Sequence, residues 1–464
     1  MQVISQAFIP KITLSHFSGN SCEVYNTFFS DNNKTLNSYS WERSINNFSG
    51  SFSFSFKELP EADKDLLMDK IQNLDIVHIY EHDKLVFIGI ITDISCSAQS
   101  GSFQKSVSVQ GKSIEYLFEM LQISLDVTAL AWANKASNEG LNITFLTEIN
   151  EKDSSGKTKK TSVKNGLSYA FNSFTKCVLN YKEVSSVEIL NMIQYFYEIK
   201  NTESDFENIL ETDNLEFHYP ISSQLYQNKT IKYFEFIRNL LPEPVYEVFG
   251  KFDENDKLKI CVREVPFREE VWDNLRATLI QPVILLSYSF ARSCSEVYTT
   301  FLSYLEGTLL APDYYKKING STIGYAAQKA VVSKIGKYGY RPLEVTFIGF
   351  YNGKTEEEQK EGNDALNKEI ETLNENLAQW FGHIDEMYNG SISVANVDGF
   401  TPAKIGERIQ LGSNEFYVIS EKHTWSYGST PVIEYSIDRG GKYNKGKFYP
   451  CEKLSMFLEE FETV

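Results

Sequence analysis

The amino-acid sequence predicts a mainly β fold with added helix (α+β). It comprises two related small β-barrel domains, the second interrupted by a helix, around a mixed α/β middle region. Three observations predict it. Apolar and polar residues alternate with period two over short segments near both ends, the pattern of half-buried strands. A phrase near the start, CEVYNTFFS at 22–30, returns as SEVYTTFLS at 295–303 with six of nine positions identical. Residues 364–381 carry apolar side chains at helical spacing.

The first domain is expected over residues 1–120. GSFSFSF at 50–56 alternates strictly and puts Phe52, Phe54 and Phe56 on one face. Leu74–Tyr80 is a second strand, Glu81–Lys84 a turn, and Leu85–Ile94 the return strand. Within that strand, Gly89 is expected to mark a bulge or tight bend. Ser106–Gln110 alternates again, and Ile114–Leu121 begins a short helix. Short strands at regular spacing point to a small barrel.

The middle region, 121–283, is mixed. The polar stretch 152–164 reads as a loop. Ser185 and Glu188 form a capping box, stapled by Val184 and Ile189, before a helix with an apolar stripe of Val187, Leu190, Ile193 and Tyr197. A second helix is expected over Thr230–Leu241, stopping before Pro242. A hairpin follows: VYEVFG, a turn, then LKICVREVPF.

The second domain is expected over 284–444, with strands at Leu285–Phe290, Ser295–Ser303 and Leu343–Tyr351. The inserted helix 364–381 places Leu366, Ile370, Leu373, Leu377 and Trp380 on one face. Strands return at Gly390–Val397, Glu407–Leu411, Phe416–Glu421 and Pro431–Arg439, and 445–464 form a tail. The repeated nine-residue phrase reads either as a chance likeness of two short β-type strings or as the trace of one barrel duplicated within the chain.

Composition narrows the function. The 464 residues are 42% hydrophobic and 14% aromatic, enough for a substantial core. A net charge of −17 argues against gripping a phosphate backbone, which needs clustered Lys and Arg. The six cysteines, Cys22, Cys96, Cys177, Cys261, Cys294 and Cys451, form no CxxC pair, so reduced thiols are expected. The N-terminus lacks the charged and apolar segments of a signal peptide, and no apolar run is long enough to span a membrane.

Local chemical motifs fail one by one. His78–His82, HIYEH, matches an inverted zinc-protease pattern, but that pattern needs a helix and the flanks read as strand. GFYNGKT at 349–355 has one residue too few between its glycines for a phosphate-binding loop, and an acidic run follows it. Asp253–Lys257 resembles the start of a calcium loop without its glycine or closing glutamate. There is no GxSxG elbow. No catalytic, cofactor-binding or metal-binding residue is nominated, and the chain is expected not to be an enzyme.

Three phrases, in order, resemble the central baseplate hub proteins of phage tails and phage-like injection machines. These include late-control tail proteins and the hub portion of type VI secretion spike proteins. The phrases are GSFSFSF with LDIVHIYEHDKLVFIGIITDIS and SVSVQGKSIEYL, then LKICVREVPF, then GERIQLGSNEFYVISEKHTWSYGSTPVIEYSIDRGG. Residues 121–228 match only loosely. The sequence departs from the common form at Asn73-Leu74-Asp75, where a Gly-Asp turn is usual, and in the acidic stretch 353–362.

The resemblance implies a homotrimer whose six barrels make a pseudo-sixfold ring, joining a sixfold tail tube to a threefold central spike. It implies tail tube, spike, tape-measure and baseplate wedge proteins as partners. It implies no specific nucleic-acid binding and no stable membrane insertion. The location would be a virion tail or injection-system baseplate, assembled in the bacterial cytoplasm. Two other readings stay open. One is a cell-wall hydrolase with a catalytic insertion at 121–230, whose only histidine is His218; with the sequence ending at Val464, no C-terminal enzyme is expected. The other is a carbohydrate-binding adhesin, though Trp41, Trp132, Trp272, Trp380 and Trp425 are dispersed.

Overall fold

A computed structural model describes residues 10–58 and 66–125, the segments 146–152, 158–164 and 211–212, and residues 229–306, 324–348 and 356–450, the longer stretches with brief omissions. The fold is mainly β.

Alternation becomes strand where expected near the start. The first strands are β1 (Lys11–Ser18), β2 (Ser21–Phe29), β3 (Leu36–Ser44) and β4 (Asn47–Glu58). After the short helix α1 (Leu67–Lys70) come β5 (Ile76–Glu81), β6 (Lys84–Ala98) and β7 (Lys105–Ser113), then helix α2 (Tyr116–Met120). His82 and Asp83 take positive φ in the turn between β5 and β6, as two-residue hairpins require. Phe52, Phe54 and Phe56 all point inward, and Phe28 meets Phe56 at 5.0 Å between ring centroids. Gly89 does not mark a bulge. The irregularities of β6 lie beside Tyr80 and at Thr92. Gly89 and Gly111 instead leave room for the Phe52 ring, which a Cβ would meet at 2.6 Å and 2.4 Å respectively.

The middle region holds β8 (Gln122–Leu125), β9 (Leu146–Lys152), β10 (Thr158–Lys164), β11 (Glu211–Thr212) and β12 (Lys229–Lys232). Two expectations are corrected here. The polar stretch 152–164 is not a loop throughout, since β10 pairs with β9 as a hairpin. The helix expected from Thr230 does not start there. Residues 229–232 pair with β8, because β-branched Thr230 and Ile231 fit a strand better than a helix. The helix expected at Ser185 lies outside the described residues. The hairpin β13 (Tyr246–Phe252) and β14 (Leu258–Glu264) forms as expected.

Helix α3 (Glu269–Asp273), β15 (Ala277–Leu279) and β16 (Leu285–Ala291) lead into the second half. Between β16 and β20 the chain departs into a three-stranded sheet of β17 (Thr300–Glu306), β18 (Gly324–Ala330) and β19 (Pro342–Ile348), with helices α4 (Val332–Tyr338) and α5 (Glu356–Phe381). The inserted helix is therefore longer than expected, beginning at Glu356. It buries Ile370, Leu373, Leu377 and Trp380, the face the spacing pointed to. The chain returns through β20 (Tyr388–Ala395), β21 (Arg408–Leu411), β22 (Asn414–Ser426) and β23 (Val432–Asn444). Part of the expected tail forms β24 (Lys447–Pro450) against β23.

The two halves are copies of one topology. In the first, neighbouring strands run β3-β4-β7-β6-β5-β1; in the second they run β16-β20-β23-β22-β21-β15. The chain visits both sets in the same order. Each neighbouring pair is antiparallel in both halves, except the last, where β15 runs parallel to β21. Irregularities coincide too: β3 and β16 each slip after their first leucine, Leu36 or Leu285, and β6 and β22 each skip one residue, Thr92 or Ile419. Superposing these registers aligns LNSYSW (36–41) with LLSYSF (285–290), four of six identical. It likewise places Phe54 and Phe56 on Ile392 and Val394.

The longer echo does not carry this equivalence. Residues 22–29 of CEVYNTFFS lie in β2 against β1, whereas SEVYTTFLS spans a turn and β17, between β18 and β19. The two phrases occupy different places, since β17 belongs to the insertion.

Each half has an apolar core, and that of the first also takes in Trp425 of β22. One gathers Phe28, Phe54, Phe56, Phe87 and Val109; the other gathers Ile392, Val394, Leu411, Phe416 and Tyr435. The halves join edge to edge where β3 pairs with β22, giving one curled sheet of 14 strands among the described residues. Phe54 sits in the middle of the first core, 1% exposed. Phe54→Ala is expected to cost about 3–5 kcal/mol, and Phe54→Asp more. Denaturant unfolding measures both, and an unchanged midpoint would refute this placement.

Candidate functional site

The junction of the two halves concentrates the buried polar chemistry. Strand β5 ends at Glu81, whose carboxylate turns inward and is 3% exposed. Oε1 accepts hydrogen bonds from Tyr39 Oη at 3.0 Å and Trp41 Nε1 at 3.0 Å, both on β3. Oε2 accepts from Asn396 Nδ2 at 2.8 Å and pairs with His423 Nδ1 at 2.8 Å, both from the second half. The His423 ring also stacks on Trp41, centroids 3.9 Å apart, across the β3–β22 pairing.

Burial alone would push the Glu81 carboxyl up; the His423 charge and hydrogen bond, with the hydrogen bonds from Trp41 and Tyr39, hold it below its ordinary value. Burial, with the Glu81 charge, drives the Tyr39 hydroxyl well above the ordinary tyrosine value. Glu421, two residues before His423, has weaker compensation. Burial pushes its carboxyl up to about 7, against the pull of His423, Arg43 and Lys404. Above these groups opens a cleft of 480 Å³, with Trp41, Glu81, Asn396, Lys404, Glu421 and His423 among its lining.

A second layer fastens the middle hairpin to this junction. Arg43 on β3 pairs with buried Glu115 and donates to the Gly250 carbonyl on β13 at 3.1 Å. Arg263 on β14 pairs with Glu247 at 2.7 Å and donates to Tyr417 Oη of β22 at 2.9 Å. Tyr417 Oη in turn donates to Glu247 at 2.6 Å. In the insertion, Lys334 of α4 meets Asp385 and Glu386 just past α5, each at 2.6 Å. Trp380 at the end of α5 lies edge-on to Trp272 and Tyr417.

Chemically the Glu81–His423 pair resembles the orienting half of a catalytic triad, but no serine or cysteine lines the cleft among the described residues. Its four partners divide evenly between the halves, which is the arrangement of a lock. The sequence-level motifs lie elsewhere. His78 is on β5 and His82 in the following turn. No group of three or more potential ligands is gathered for a metal among the described residues. Residues 349–355, 253–257 and His218 fall outside the described residues. Trp41, Trp272, Trp380 and Trp425 are all buried, so none of these four offers a sugar-stacking face; Trp132 is not among the described residues. No helix among the described residues is long and apolar enough to cross a membrane.

No family model matches the chain, and no curated protein matches it. Solved structures do. The 43 kDa tail protein of prophage MuSo2 from Shewanella oneidensis is 13% identical, with a TM-score of 0.47 over 92% of this chain and 97% of that one. The tail protein from Neisseria meningitidis MC58 is 7% identical, with a TM-score of 0.48 over 93% and 96%. Prophage tail protein gp18 from Listeria monocytogenes EGD-e is 10% identical, with a TM-score of 0.42 over 98% and 99%.

The Glu421 environment has a measurable consequence. Its folded value of about 7 lies above the ordinary ~4.3, so the stability tied to its protonated form is whole below ~4.3 and is lost as pH rises to about 7. Glu421→Gln keeps the neutral form at every pH. The variant is expected to match the parent near pH 4 and to exceed it by on the order of 3 kcal/mol at pH 8. Unfolding curves at both pH values check this; a difference independent of pH would contradict it.

Proposed function

We propose that this chain is a structural hub protein of a phage tail or phage-derived injection machine. Three copies form a ring of six similar units, which joins a sixfold tail tube to a threefold central spike. The observation that carries the reading is the repeated strand order of the two halves. A chain that contains one unit twice, joined edge to edge, lets a threefold assembly present six near-equivalent surfaces. Nothing simpler explains why both the order and the bulges recur.

The three phrases that resemble baseplate hubs support the same reading. GSFSFSF and LDIVHIYEHDKLVFIG form β4 to β6 of the first half. GERIQLGSNEFYVISEKHTW forms β21 and β22 of the second. LKICVREVPF contains β14, which clamps onto β22 through Arg263 and Tyr417. The matching phrases therefore build the duplicated unit and its brace. In this reading the protein is not an enzyme. It sits in the tail or baseplate after assembly in the bacterial cytoplasm, with tube, spike, tape-measure and wedge proteins as neighbours. A net charge of −17 suits a conduit that nucleic acid crosses without adhering.

Native mass measurement on the purified chain tests the assembly. The expected species at higher concentration has three times the 53.2 kDa chain mass. A monomer at every concentration, with no binding to a tube or spike protein, would overturn the proposal. A lytic band on a peptidoglycan zymogram would favour the hydrolase instead.

A further inference from the structure

The cleft over the Glu81 lock is lined by side chains whose buried polar atoms the fold leaves unsatisfied. Glu421 on β22 is 5% exposed, yet no donor among the described residues bonds its carboxyl. Asn396 gives its amide N–H to Glu81, and its Oδ1 has no hydrogen-bond partner among the described residues. His423 turns Nδ1 to Glu81 and leaves Nε2 likewise unbonded. The Glu81 carboxylate can only accept, so the His423 proton sits on Nδ1, and Nε2 of the neutral ring is an acceptor. All three unsatisfied groups are therefore acceptors. Buried acceptors without donors are rare in native proteins, because they are costly.

The cations around the cleft are committed elsewhere. Arg43, opposite Glu421 on β3, pairs with Glu115. Lys404 donates to the Phe252 carbonyl. Arg276 donates to the Thr401 carbonyl at 3.4 Å and lies 3.7 Å from Glu407. The charges of Arg43 and Lys404 pull on Glu421 without bonding it, and burial still pushes its carboxyl up to about 7. A cation brought into the cleft would favour the ionised form.

The missing partner must then be positive and rich in donors. A guanidinium has five N–H donors in a planar fork, and its delocalised charge stacks on aromatic faces. Phe252, Phe400 and Pro402 supply apolar walls. An ammonium has three donors about one point and is more strongly hydrated. A carboxylate or phosphate would bring only further acceptors. The cleft volume of 480 Å³ falls in the range of ligand sites.

We propose that this cleft binds a guanidinium cation, carried by a free small molecule or by an arginine side chain of another protein. Its donors would go to the Glu421 carboxylate, Asn396 Oδ1 and His423 Nε2. The lining comes from both halves, Trp41 and Glu81 from the first and the three acceptors from the second, so an occupant adds to what holds the halves together. The inference does not depend on the hub reading.

Isothermal titration calorimetry on the full chain at pH 8 tests it, with butylguanidinium, butylammonium and the peptide acetyl-Gly-Arg-Gly-amide as probes. Butylguanidinium is expected to saturate one site per chain. Butylammonium is expected to bind about tenfold more weakly. Glu421→Gln is expected to weaken butylguanidinium at least about tenfold while melting no lower than the parent, so lost binding cannot be put down to unfolding. Tighter binding of the peptide than of butylguanidinium would assign the site to a protein arginine, and the reverse order to a free molecule. No saturable heat from either guanidinium probe, or equal affinity in the Glu421→Gln chain, would overturn the site. Equal binding of butylammonium would refute the guanidinium assignment.

Discussion

The buried carboxylate of Glu81 is the constraint on which the arrangement of the two halves depends. A lone ionised carboxylate in a protein interior is too costly to keep. Glu81 is kept because four groups surround its two oxygens: Tyr39 and Trp41 from the first half, Asn396 and His423 from the second. Parting the halves would strip two of those partners while a buried charge remained. Breaking such a cluster costs far more than its net formation gains. The same groups set the register, since Trp41 stacks on His423 only when β3 and β22 pair as they do. Arg43 and Arg263 then tie the middle hairpin to the two joined strands, so the hairpin and both halves meet at one centre.

Around that centre the duplication explains features that look unrelated in one half alone. The edge of β16 that is unpaired among the described residues is the position whose counterpart, on β3, pairs with β22 within the chain. The extra length of β6 beyond its pairing with β5 is the length β22 uses to reach β3. The insertion between β16 and β20 replaces what is a two-residue turn between β3 and β4. It leaves the strand pairing unchanged because α5 and its Trp380 brace the detour against Trp272 and Tyr417. A hairpin tip is where a fold tolerates added chain, since no buried backbone crosses it.

Much of this architecture was legible in the residues. Period-two alternation marked β4, β5 and β7, and helical spacing marked the buried face of α5. The duplication was legible in kind but misplaced in detail. The longer echo drew attention to β2 and β17, which are not equivalent. The shorter one, LNSYSW and LLSYSF, carried the real correspondence and could have been found by comparing strands that begin a serine ladder. Its serines bond across the β3–β4 pair, Ser38 to Ser55 at 2.8 Å and Ser40 to Ser53 at 3.0 Å. The lock at Glu81 was not legible, because its five residues are spread from position 39 to 423 and no local spacing connects them. HIYEH pointed at the right stretch for the wrong reason. Its glutamate matters for facing away from the histidines.

The central claim is that two copies of one unit per chain build a ring of six. Electron-microscope projections of the assembled protein, viewed down its axis, test it most directly. The account predicts a closed ring of six similar lobes that alternates in fine detail with threefold symmetry. Open chains of lobes, or a closed ring with any number of lobes other than six, would contradict it.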